Sequence, residues 1–135
     1  MNKYFVYICV LLILSSCYQK SNKSRLFYEI YKEIPYNKIT SVGIIRHDSI
    51  LRLIDDTSQI KRIVKLVINS KTKTTKFPAL LHMSFYDSNK SEIFGIGFQN
   101  NSLYIKGEFG GVYKLEEPLI TDSSLYKKNY DDELK

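Results

Sequence analysis

His47, Asp48 and Ser49 are the three residue types of a hydrolase triad, and they are consecutive. A triad needs its base between nucleophile and carboxylate, with all three side chains converging. Adjacent residues in a tight turn point apart, so this run is expected to be a turn and not a catalytic unit. Asp55-Asp56 is a pair of carboxylates of the kind that shares acid–base work. Acids also collect at helix N-termini, where the backbone dipole favours them, and a helix is expected to begin here. Gly95-Ile96-Gly97 lacks the third glycine and the strand-to-helix setting of a dinucleotide loop. The chain has two His, and no H-E-x-x-H or comparable ligand spacing appears. The expectation is therefore a protein that is not an enzyme, with no metal and no cofactor. A hydrolase assembled from distant residues is the alternative.

The two cysteines, Cys9 and Cys17, both lie in the first seventeen residues. Lys3 provides a positive start, Tyr4 to Leu14 is apolar, and Leu14-Ser15-Ser16-Cys17 closes the run. Such a run is too short for a bilayer core, which takes roughly 20 residues. Charge, short apolar run and small residues before a cut make an export signal. Leu-Ser-Ser-Cys resembles the lipobox of bacterial lipoproteins. The resemblance implies that Cys17 carries a diacylglyceryl group with acyl chains of the palmitate kind. It also implies cleavage before Cys17, which makes that residue the membrane anchor. Two or three acyl chains anchor a protein stably where one does not. An uncleaved anchor, or ordinary cleavage near Ser16 leaving a free thiol, is the competing reading. Tyr18 stands where the best-known sorting rule has an Asp for inner-membrane retention. That favours the outer membrane in a cell envelope that has one.

Loss of residues 1–16 leaves 119 residues, enough for one domain. On the lipoprotein reading the mature domain has no cysteine for a disulfide, a zinc site or a nucleophile. Eleven Tyr and seven Phe without Trp favour a sheet-rich core. The net charge is +6. Six basic residues and no acid fall between Thr57 and Pro78: Lys61, Arg62, Lys65, Lys71, Lys73 and Lys76. A basic stripe can bind nucleic acid, but an exported protein seldom meets any, so no nucleic-acid partner is expected. A solvated helix face followed by a Lys-rich turn is the simpler account.

Residues 17–24 read as the lipidated Cys and a polar tether, 25–118 as the domain, and 119–135 as a C-terminal segment. Leu26, Ile30 and Ile34 are spaced for a short helix over 25–34, ended by Pro35, with a strand as the alternative. Ile39–Arg46 and Ser49–Ile54 are apolar and branched, and predict two strands joined at His47-Asp48. Asp56, with Gln59 three residues on, resembles a capping box. Ile60, Ile63, Val64, Val67 and Ile68 then follow helical spacing and predict one buried stripe. After Pro78 the period becomes two. Four strands follow, separated by turns at Asp87–Ser91, Asn100-Asn101 and Gly110-Gly111. Asp122 is placed to cap a C-terminal helix carrying Leu125, Tyr126, Tyr130 and Leu134.

Neither the helix nor the sheet can hide its apolar side alone. The predicted fold is a two-layer α+β domain, with an amphipathic helix on an antiparallel meander in the order β-β-α-β-β-β-β. The whole layout resembles small bacterial lipoproteins, and its architecture is similar to the halves of β-lactamase-inhibitor-protein-like folds. Those bind partners without catalysis. The resemblance implies a lipid-anchored envelope protein that acts as a binding, inhibitor or immunity-type module on another envelope protein. An accessory or spacer subunit of an envelope complex is the second possibility. If Leu81, Met83, Phe85, Phe94, Ile96, Phe98, Leu103 and Ile105 face the helix, alternation assigns the other face. It carries Leu80, His82, Tyr86, Ile93, Gly95, Gly97, Tyr104, Lys106 and Glu108. Tyr offers apolar area with a hydroxyl handle, as interfaces favour. A partner is expected there, centred on Tyr86, Tyr104 and His82 with Lys106 at the edge. The competing occupant is the chain's own C-terminal segment, through Leu125, Tyr126 and Tyr130.

Overall fold

The computed structural model describes residues 3, 4, 6–8, 24–73, 79, 81–107, 111–122 and 125. Cys17, residues 18–23 of the tether, Leu80, Glu108, Gly110, Tyr126, Tyr130 and Leu134 lie outside that set. The fold is α+β: a seven-stranded antiparallel sheet with one long helix packed on it. Residues 3, 4 and 6–8 are helical, and the domain itself starts with a single helical turn, α1 (Phe27–Ile30), and a 3-10 turn (Tyr36–Lys38). Then follow β1 (Ser41–Arg46), β2 (Ser49–Ile54), α2 (Thr57–Ile68) and β3 (Lys71–Lys73). The meander β4 (Leu81–Tyr86), β5 (Glu92–Gln99), β6 (Ser102–Ile105) and β7 (Val112–Lys114) completes the sheet. The strand order is β2-β1-β4-β5-β6-β7-β3.

That order explains the long helix. β2 and β3 are opposite edges of the sheet, about 29 Å apart at 4.8 Å per strand. The twelve residues of α2 advance about 18 Å, and the short links at each end supply the rest. Helix α2 therefore crosses one face and covers it. Asp56 caps it, its Oδ1 accepting from Ser58 N at 3.3 Å. All eight sheet residues expected to face it are buried.

Four expectations change in detail. The helix over 25–34 shrinks to α1, because Leu26 is held extended in a bridge to Lys71 and Phe27 N donates to Ser70 O at 2.8 Å. The Lys-rich turn after α2 contains β3, which pairs with β7. Backbone pairing specifies that strand, since Lys-Thr-Lys has no apolar pattern to announce it. The buried stripe of α2 is Ile60, Ile63, Leu66 and Val67, with Val64 and Ile68 half-buried. The helix is rolled because residues 118–122 lie along its Gln59–Arg62–Ile63 flank. Leu115, Leu119 and Ile120 are buried in the common core, so the domain continues past Pro118. Arg62 clamps this stretch by donating to the carbonyls of Pro118 and Leu119, each at 3.0 Å. Arg52 pairs with Asp122 at 2.9 Å. Beyond it, Leu125 N donates to Asp122 O in a short turn, at 3.4 Å.

Candidate functional site

The triad-like run forms the β1–β2 hairpin turn, as its residue types suggest. His47 and Asp48 have φ of 48° and 64°, the left-handed pair of a two-residue hairpin. Both side chains, and Ser49, are exposed. The basic run does not form one stripe either. Lys61 and Lys65 are exposed on α2, Arg62 clamps the C-terminal stretch, and Lys71 and Lys73 belong to the edge strand β3. Lys73 Nζ donates to Ser102 Oγ at 3.1 Å. Lys76 lies outside the described residues.

The second face of the sheet does bring the predicted residues together. One row runs Ile45–His82–Gly97–Tyr104–Val112 across β1, β4, β5, β6 and β7. The next runs Leu53–Gly43–Ser84–Gly95 across β2, β1, β4 and β5. The glycines in these rows are there for close approach. A Cβ on Gly97 would collide with the Tyr104 ring, and one on Gly43 would lie 3.1 Å from the Tyr86 ring. At Gly95 it would lie 3.3 Å from both Lys106 Cδ and Glu92 Oε1. So Tyr104, Tyr86 and Lys106 lie across glycines of neighbouring strands, and Glu92 reaches Gly95 along its own strand. The His82 and Tyr104 rings meet edge to face with centroids 6.3 Å apart.

Ile93 and Glu92 exchange places relative to strict alternation. Phe85 pairs with Phe94, but Tyr86 pairs with Glu92, so Ile93 is the extra residue of a β-bulge. Ile93 packs against the core. Glu92 turns to the second face, where its carboxylate and the Lys106 stem each approach Gly95. Nothing in a single sequence marks such a bulge, and Glu92 is the site residue that alternation misses.

On this face His82 is half-buried. Its pKa is lowered, first by burial and then by the Lys106 charge, with Asp48 opposing. Its Nδ1 is buried and has no hydrogen-bond partner among the described residues. A neutral imidazole tolerates that placement better than a cation, because burial penalises the charged form.

The competing occupant named from sequence takes another course where it is described. Residues 115–122 lie on the helix side, and Leu125 packs against the same core. On the opposite flank of α2, Tyr36, Ile39, Ile60, Val64 and Ile68 line a groove of about 490 Å³ beside Lys61 and Lys65. Tyr36 donates its hydroxyl to Tyr31 O at 2.6 Å, and burial beside Tyr28 and Tyr113 pushes its pKa up to about 12. Among the described residues no group of three His, Cys, Asp or Glu side chains is placed to hold a metal, and no helix is long and apolar enough to cross a membrane. No family model, curated protein or solved structure matches this chain.

Proposed function

We propose that this is a lipid-anchored protein of the bacterial cell envelope, held by acylated Cys17, that works as a non-catalytic binding module of the inhibitor or immunity type. Its partner is another envelope protein, seated on the second sheet face around Tyr86, His82 and Tyr104, with Lys106 and Glu92 beside them. The outer membrane is its site in an envelope that has one. The observation that carries the binding reading is the laying of Tyr86 and Tyr104 across Gly43 and Gly97. Large side chains held flat over glycines make a smooth surface of limited rotamer freedom, which lowers the entropic cost of docking. Tyr is among the residues enriched at such surfaces. The anchor rests on Leu14-Ser15-Ser16-Cys17.

The test joins the two halves. Wild type should take up a fatty-acid analogue during growth and capture one stoichiometric partner from detergent-solubilised envelopes. Cys17→Ser should lose the label, and Tyr104→Ala should lose the partner while keeping the label. Label in the Cys17→Ser protein removes the anchor. Undiminished capture by Tyr104→Ala removes the site.

A further inference from the structure

The two edges of the sheet are built differently. β3 has three residues, two of them Lys, and Leu26 bridges to it. Short length, Lys and a covering segment are the devices that keep an edge from pairing with another chain. β2 has six residues, Ser-Ile-Leu-Arg-Leu-Ile, with neither Lys nor Pro. Ile50, Leu51 and Leu53 are 60%, 43% and 58% exposed. Among the described residues no strand pairs with the outer side of β2. An apolar edge with unpaired N–H and C=O groups is a template for one more strand.

We propose that β2 is the seam of a homodimer, pairing antiparallel with β2 of a second copy to continue the sheet. Its sequence is self-complementary for that arrangement. Ile45 pairs with Ile50 and Ile44 with Arg52, so Leu51 is an extra residue in β2. The bulge puts Ile50 and Leu53, opposite Ile45 and Gly43, on the same face. With the two-fold axis between Leu51 and Arg52, Ile50 of each copy meets Leu53 of the other. Arg52 is the only charge on the strand, and Asp122 2.9 Å away neutralises it. Two copies can therefore meet without bringing bare guanidinium groups together. The dimer does not depend on the lipid anchor or on the binding face around Tyr104.

The test uses the full chain in its membrane. Leu51→Cys lies beside the two-fold axis and should give a disulfide-linked dimer on mild oxidation. Asn89→Cys, in the exposed β4–β5 turn, should stay at the wild-type background. Adding Leu53→Lys should abolish the Leu51→Cys crosslink and halve the protein mass measured by sedimentation in detergent. Its melting midpoint should match that of wild type diluted until it is monomeric, since Leu53 is exposed in the single copy. Equal crosslinking at positions 51 and 89, or one copy per particle in wild type, overturns the proposal. So does capture of a strand from a different protein by monomeric β2.

Discussion

The two faces of the sheet are made from alternate residues of the same strands, yet they solve opposite problems. Toward α2 the strands present Leu81, Met83, Phe85, Phe94, Ile96 and Phe98, all buried. Phe85 and Phe94 stack across strands with ring centroids 4.2 Å apart. On the second face β1, β4 and β5 present the small residues Gly43, Ser84, Gly95 and Gly97. Its larger side chains lie down over these small residues. On the helix side, side chains stand up and interlock with another layer. On the second face they lie flat and cover their own sheet.

This difference can be broken most severely from the helix side. Val67 is fully buried, so Val67→Asp should cost about 3–5 kcal/mol, the range for a buried charge with no partner. Val64→Asp should cost only about 1 kcal/mol, within the usual span of point substitutions, because the roll of α2 leaves Val64 half-buried. Thermal melts of both variants check the roll of the helix. Equal losses would restore the stripe expected from spacing alone.

The second face should respond less, and through a pair. Gly97→Ala forces the Tyr104 ring off its strand and should cost about 1–3 kcal/mol, as overpacking does. In a Tyr104→Ala background the same change should cost little. Urea unfolding of the two single variants and the double variant should show a coupling of at least about 0.5 kcal/mol. Additive losses would mean that the ring is not what excludes a side chain at position 97.

The smallest effect concerns pH. The folded pKa of His82 is below its ordinary 6.5, so below pH 6.5 the unfolded chain binds the extra proton more readily. Stability is therefore complete above pH 6.5, falls as pH drops toward the folded value, and levels off below it. His82→Asn should flatten that part of a stability–pH curve. Lys106→Met should reduce its slope, because the Lys106 charge is the second cause of the shift. A wild-type curve with no fall below pH 6.5 contradicts the buried, neutral imidazole.

What the sequence determined by itself was periodic or local. Leu81–Phe85, Phe94–Phe98 and Leu103–Ile105 alternate, and alternation assigns faces because successive Cβ atoms on a strand point opposite ways. His47-Asp48 and Asp56 mark a turn and a cap through chemistry confined to a few residues. These features required no knowledge of distant neighbours, so the two-layer fold and most of the second face were legible. The rest was settled by contacts between residues far apart in the chain. β3 forms because β7 and Leu26 offer backbone partners to Lys71–Lys73. The roll of α2 follows from Leu119 and Ile120 filling one of its flanks, and from Arg62 holding them there. Glu92 reaches the second face because a bulge at Ile93 shifts the alternation by one residue. Glycines 43 and 97 acquire their purpose only when Tyr86 and Tyr104 arrive from neighbouring strands. Side-chain pattern is carried by each segment, whereas register, roll and close approach exist only between segments, and so only the tertiary structure decides them.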